Sequence, residues 1–335
     1  MLLAWFPHPP CALALIFALG ATTFACACRS GENLDSQGTV PSDTATDTSP
    51  GKTEQDELGG ACDSAERVGG FALSLAAYET TVNGSVSVGV VPSAVLHELA
   101  VESPCRLLQR RNPHCDPPCL AGETCHPDLE CIPYPETKSV GAVTVDGLAV
   151  SVNMLPVQPS NVYFNTMLPH PAFAAGDEIE LRAAGDQLAG FTLRGVGIVA
   201  IDDLKDEIWP VRRGRPLAAS WTPGPGGPAR LHLALNIDQH GNSPANIECD
   251  VRDTGSFDIP ATLIDQLFDL GISGFPSLVL TRRTADSVTL DVGCVDFNVR
   301  SWTTVTVEVA DHIPCMSDAD CPEDMTCNLA TETCE

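Results

Sequence analysis

Residues 78–91 read YETTVNGSVSVGVV, and residues 143–152 read VTVDGLAVSV. In each, residues that favour extended backbone flank a dipeptide, Asn83-Gly84 or Asp146-Gly147, able to take the positive φ angles of a type I′ turn. That turn twists in the same sense as paired strands, so both stretches predict antiparallel β-hairpins. Working outward, apolar residues alternate at Ile179/Leu181, at Leu231/Leu233/Leu235/Ile237 and at Val305/Val307/Val309, the pattern of strands with one buried face. TPGPGGP at 222–228 predicts a connection between a strand ending near Trp221 and one starting near Arg230. One helix is expected, with Pro260 in its first turn, Leu263, Ile264, Leu267 and Phe268 on one face, and Gly271 just past its end. Many short strands separated by turn residues predict a mainly β chain with an antiparallel β-sandwich.

Cys249 shares a strand face with Ile247 and Val251, and Cys294 shares one with Val288, Leu290 and Val292, because side chains two apart point the same way. Both sulfurs are expected in the core. A bridge between them would close a loop of about 45 residues and contribute on the order of 4 kcal/mol in the chain-entropy model. Strands of opposite sheets joined in this way resemble immunoglobulin-like domains in general architecture.

The other cysteines speak of the compartment. Cys26 and Cys28 end an apolar stretch, Cys62 precedes the first strand-like segment, and two clusters follow: Cys105, Cys115, Cys119, Cys125 and Cys131, then Cys315, Cys321, Cys327 and Cys334. A reducing cytosol keeps such thiols apart, whereas an exported chain uses them as cross-links. All twelve from Cys62 onward are structural disulfide candidates. The apolar run Ala12 to Phe24 suits a signal-peptide core, and Ala25-Cys26-Ala27 is a small-x-small cleavage pattern that makes Cys28 the first mature residue. These residues resemble a bacterial lipoprotein signal, which implies lipidation of Cys28 and a membrane partner through that lipid. Cys26 is a rival, and secretion without a lipid is the alternative. Cutting before Cys28 leaves an even number of cysteines free to pair. Residues 29–60 carry Leu34, Val40 and Leu58 among Ser, Thr, Asp, Glu and Gly; so few apolar groups cannot offset ordering entropy, and a polar tether is expected.

With 44 acidic against 18 basic residues the net charge is −26, a field that repels nucleic acid and anionic lipid. The pairs Arg110-Arg111, Arg212-Arg213 and Arg282-Arg283 are expected at solvated strand or loop ends. The expected organisation is a signal peptide at 1–27, a disordered tether at 28–60, a β-hairpin region at 61–104, a cysteine-rich module at 105–135, the β-sandwich at 139–311 and a second cysteine-rich module at 312–335.

HCDPPCLAGETCHPDLECIP spaces its cysteines C-x3-C-x5-C-x5-C, and CMSDADCPEDMTCNLATETCE spaces them C-x5-C-x5-C-x6-C. Each segment is too small and polar for a core, so cross-links must hold it. Through Cys315, Asp320-Cys321-Pro322, Cys327 and Cys334 the second resembles the small Dickkopf N-terminal-like repeats of bacterial surface lipoproteins. That resemblance implies an extracellular, interaction-related setting without catalysis. Zinc is disfavoured: although His114 and His126 flank the first cluster, only Cys115/Cys119 approach the spacing of structural zinc pairs. Asp318, Asp320, Glu323 and Asp324 lack EF-hand spacing and read as a solvated acidic face. No cofactor is expected.

One catalytic-looking string occurs. Asp253-Thr254-Gly255-Ser256 resembles the active-site loop of aspartic proteases, with a proline and short helix following. Those enzymes need two carboxylates sharing a proton, and no second such triplet is present, so catalysis would require a homodimer. A strand-to-helix turn in which Asp253 bonds local backbone is the sounder expectation. His97-Glu98 is not followed by the second zincin histidine, and no nucleophile elbow, phosphate loop or dinucleotide fingerprint occurs; His232 and His240 read as surface or loop residues. The leading expectation is a non-enzymatic extracytoplasmic lipoprotein of the outer membrane or cell surface, otherwise secreted, binding a protein or glycan ligand. The alternatives are an aspartic-type hydrolase using Asp253 and a purely structural envelope component.

Overall fold

The computed structural model describes residues 58–202, 204, 207–237 and 244–335. The signal segment with Cys26 and Cys28, the tether up to residue 57, and His240 lie outside the described residues. In chain order the strands begin with β1 (Arg67–Leu75), β2 (Thr80–Val86), β3 (Leu96–Glu102) and β4 (Cys105–Arg110), followed by the small hairpin β5 (Glu123–Cys125) and β6 (Cys131–Pro133). Next come β7 (Val143–Asp146), β8 (Val152–Met154), β9 (Tyr163–Asn165), β10 (Glu178–Ala183), β11 (Phe191–Val196), β12 (Ile208–Val211) and β13 (Leu217–Ser220). Then follow β14 (Arg230–Asn236), β15 (Ala245–Arg252), β16 (Ser256–Ile259), the helix α1 (Ala261–Asp269), β17 (Ser277–Leu290), β18 (Gly293–Val309), β19 (Cys327–Asn328) and β20 (Thr333–Cys334).

The chain is mainly β, and its largest sheet has ten strands in the order β3-β4-β15-β14-β17-β18-β1-β2-β9, with β12 also joined to β18. β17 and β18 are long, at 14 and 17 residues, and they serve two separate cores. Val295, Phe297 and Val299 of β18 pack under the four-stranded sheet β11-β10-β7-β8, together with Phe71, Leu73 and Val82. Further along, Val305, Val307 and Val309 pack with Leu278 and Leu280 under the β13-β16 ribbon and α1. The result is two sandwich-like halves built on one pair of strands.

A polar seam separates the cores. The inward face of β17 runs Leu278, Leu280, Arg282, Thr284, and that of β18 runs Val299, Ser301, Thr303, Val305; the four polar members are buried. Buried hydroxyls need partners, and the chain leaving β11 supplies them. Val196 N–H donates to Thr284 Oγ1 at 3.1 Å, Ile201 N–H to Ser301 Oγ at 3.2 Å and Leu204 N–H to Thr303 Oγ1 at 3.3 Å.

Several expectations are corrected. Asn83-Gly84 is not a turn: both lie inside β2, pairing with β1, and the chain reverses earlier, where Ala76 N–H bonds Glu79 O. Gly84 is there because the Phe71 ring occupies the space a side chain would need; a Cβ would meet Phe71 Cδ1 at 2.2 Å. Asp146-Gly147 does begin the β7-β8 connection, with Gly147 at φ 86°, but the Val145↔Val152 pairing makes that loop longer than a two-residue turn. Residues 61–104 are not a separate region, since β1 runs parallel to β18 and β3 reaches the large sheet through β4. The first cysteine-rich module likewise begins after β4, because β4 pairs with β15. TPGPGGP does connect β13 to β14, and α1 buries the expected Leu263, Ile264, Leu267 and Phe268, with Pro260 at the N-cap and Gly271 at φ 115°.

Candidate functional site

Asp253 directly follows β15, and Asp253-Thr254-Gly255 carries the chain across to β16 in the opposing layer, with Gly255 at φ 96°. The turn is therefore strand-to-strand, and the carboxylate does not serve it. Asp253 Oδ1 accepts from Trp221 Nε1 at 2.7 Å, while Oδ2 accepts from Gly224 N–H at 2.9 Å and from Arg282 Nε at 2.7 Å. Gly224 is small by necessity, since a Cβ would stand 2.8 Å from Asp253 Oδ2. Arg282, expected at a solvated end, is 2% exposed in the middle of β17. Its remaining donors reach Ala200 O at 3.0 Å, Thr222 O at 2.6 Å and Val199 O at 3.4 Å.

A buried charge is tolerated only when paired and fully hydrogen-bonded, and this one ties five backbone or side-chain groups to one node. Both carboxylate oxygens are thereby committed to structure, which leaves neither free for a proton shared with a second aspartate. A cleft of about 90 Å³ opens beside Arg282 under Gly224–Ala229, small against the roughly 300–1,000 Å³ of usual ligand pockets.

The cysteines are all paired among the described residues. Cys249 and Cys294, expected to join each other, instead take different partners: Cys105–Cys249 and Cys62–Cys294. The face argument holds for Cys249, which lies in the core with Ile247 and Val251. Cys294 is buried, but the chain reverses after Leu290 and the register Thr289↔Cys294 sets it on the sheet face opposite to Val288 and Leu290. What the sequence did not contain was the register: β4 sets Cys105 directly opposite Cys249, and the chain before β1 brings Cys62 to the start of β18.

The two small modules share one wiring. Cys115–Cys125 and Cys119–Cys131 join the first cysteine to the third and the second to the fourth; Cys315–Cys327 and Cys321–Cys334 do the same. In both, the third and fourth cysteines face each other across a two-stranded ribbon, Cys125↔Cys131 in β5-β6 and Cys327↔Cys334 in β19-β20. Two triplets of sulfur lie close enough to share a cation, Cys115/Cys119/Cys125 and Cys315/Cys321/Cys327, but each sulfur is in a disulfide, and a metal ligand must be a thiolate. Of the acidic residues in the second module, Asp320 accepts from Met316 and Ser317 N–H at 2.9 Å each, and these bonds hold its carboxyl below the usual range. The module docks on the body through Gly274 N–H to Thr331 O at 2.8 Å and a bond between His312 Nε2 and Gly274 O at 2.8 Å.

The outer face of the large sheet carries the remaining charge network. Asp250 accepts from Arg283 Nη2 at 2.9 Å and from Arg230; burial presses its pKa up, yet the two guanidiniums outweigh that and hold it below 3.8. Burial also opposes the charge of Glu248, and bonds from His232 and Asn246 overcome it. Arg67 clamps Asp296 through Nε at 3.1 Å and Nη2 at 3.0 Å, across Gly70, where a Cβ would strike Asp296 Oδ1 at 2.1 Å. His232 is thus part of a cross-strand pair on this face.

No protein-family model and no curated protein matches the chain. Among solved structures it is similar to a Ca2+-stabilized adhesin that helps an Antarctic bacterium reach out and bind ice, at 11% identity and TM-score 0.17, over 75% of this chain and 51% of that one. The chain spans about half the length of that protein. It is also similar to the FN1–FN3 domains of chicken CNTN1, at 9% identity and TM-score 0.20, over 67% of this chain and 71% of the other. Superpositions this loose define no fold, and the architecture stands on the registers and cores described above.

Proposed function

We propose that the protein is a non-enzymatic, exported component of the cell envelope that presents its sheet faces and paired cystine modules for binding, anchored through a lipid on Cys28 or, in the rival cut, Cys26. The observation that carries this reading is the complete pairing of twelve cysteines into six disulfides, an arrangement that requires an oxidising compartment. The commitment of Asp253 to Arg282 supports the absence of aspartic-type catalysis. The shared wiring of the two modules supports their likeness to Dickkopf N-terminal-like repeats.

Intact mass of the mature protein, before and after reduction, tests the reading. Reduction should add about 12 Da, two hydrogens per disulfide, and a mature chain starting at Cys28 should carry acyl mass. Free thiols in the native protein would refute export, and a mature N-terminus without acyl groups would refute the anchor alone. Protein cleavage near about pH 4 that disappears in Asp253→Ala would replace the binding reading with the hydrolase.

A further inference from the structure

In a chain of net charge −26, arginines gather on the outer face of the large sheet. The registers Arg230↔Arg283 and Arg283↔Arg300 set three of them in line across β14, β17 and β18, and Arg67 lies further along the same face, at the start of β1 level with Cys294. Like charges directly opposite each other on a sheet are destabilising. Asp250 neutralises Arg230 and Arg283, and Asp296 neutralises Arg67. Among the described residues Arg300 has no carboxylate within ion-pair distance; its Nε donates to Ser74 Oγ at 3.2 Å, and its guanidinium lies 5.5 Å from the centre of the Trp302 ring. Burial, then the charges of Arg67 and Arg283, lower its pKa, and the more distant charge of Asp296 only partly opposes them.

Two further groups lie on the same face, two residues to either side. Trp302 is 45% exposed, and Asn298 is 8% exposed with an Oδ1 that has no hydrogen-bond partner. A buried acceptor left unpaired costs free energy unless a donor arrives.

We infer that the Asn298, Arg300 and Trp302 ladder is a binding site for a carboxylated sugar unit of an acidic polysaccharide. The guanidinium fork matches a carboxylate, the indole offers a flat apolar surface to a pyranose ring, and the Asn298 amide, whose Oδ1 is buried without a partner, turns outward to accept a sugar hydroxyl. A uronic acid carries carboxylate, hydroxyl donors and an apolar ring face on one unit. An acidic peptide would have to gather them from separate residues. The inference rests on the binding reading above and names its ligand class.

The full exported chain should be titrated calorimetrically with polygalacturonate, with its methyl-esterified form and with polyglutamate. Polygalacturonate should bind, and the other two should bind at least about tenfold more weakly. Arg300→Ala and Trp302→Ala should each lose about tenfold or more, Arg300→Lys should lose most of the binding because it keeps charge but not the fork, and Arg194→Ala, on β11, should bind as wild type. Arg300→Lys decides the matter if the alanine variant misfolds by near-UV circular dichroism. No binding to polygalacturonate, equal binding to polyglutamate, or an unaffected Arg300→Lys would overturn the inference. None of these would touch the disulfide count or acyl mass on which the broader reading is tested.

Discussion

Arg282 and Asp253 form a buried ion pair, Nε to Oδ2 at 2.7 Å, with side chains 2% and 7% exposed, on the seam where the two cores of the large sheet meet. Removing one partner of a buried pair leaves an uncompensated charge and costs about 3–5 kcal/mol. Asp253→Ala and Arg282→Met should each lower unfolding free energy by about that much. The double variant should lose less than the sum, with a coupling of about 1–3 kcal/mol, though carbonyls of Ala200 and Thr222 stay orphaned. Additive losses in urea denaturation would show that the pair does not act as a unit.

Gly84 is in place for lack of a Cβ under Phe71 and does not need positive φ. Gly84→Ala should destabilise by about 1–3 kcal/mol through overpacking, and Phe71→Leu in the same chain should recover part of that loss. A turn role would give no such recovery, so the coupling between the two substitutions is the quantity to measure.

Acid should weaken the outer-face network. The pKa values of Asp250 and Glu248 are lowered in the fold, so their contribution is full above the unfolded values of about 4, and is lost as pH falls through the folded ones. Protonation elsewhere relieves the self-repulsion of an acidic chain, which masks this in the wild type alone. The difference in stability between wild type and Asp250→Asn should therefore shrink as pH drops from about 6 towards 3. A difference that does not change over that range would show that Asp250 is not held by Arg230 and Arg283.

Reductant and chelator should act differently. EDTA should leave the melting temperature unchanged, because every cysteine of the sulfur triplets is in a disulfide. Loss of Cys62–Cys294 through the double serine variant should cost about 4 kcal/mol, the upper part of the usual range for a bridge closing a long loop. A melting point that responds to EDTA would put metal back in the modules.

The strand content, the helix and the buried face of Cys249 were legible, because they depend on local periodicity and turn chemistry, whereas the same periodicity misplaces the face of Cys294, because the chain reverses between Leu290 and Gly293. Partnership was not legible. Asn83-Gly84 carries a strong turn signal, yet the ring of Phe71, more than ten residues away and on another strand, decides its conformation. Arg282-Arg283 looks like a solvated pair, yet alternation sends one arginine to the seam and the other to the outer face. A hint of the seam was present: the apolar run Leu278, Leu280 breaks at Arg282 and Thr284, as Val299 gives way to Ser301 and Thr303 in the next strand. The Asn298, Arg300 and Trp302 ladder had no sequence signal at all, because an arginine is known to lack a counter-ion only once its neighbours are placed.

The Cys62–Cys294 bond spans 232 positions and lands at the head of β18. Tension entering the chain ahead of Cys62 and leaving past β18 would cross that sulfur link and run straight along the strand, bypassing everything folded between the two cysteines. The bulk of both halves would hang from this covalent shortcut unloaded, as cargo beside a rope.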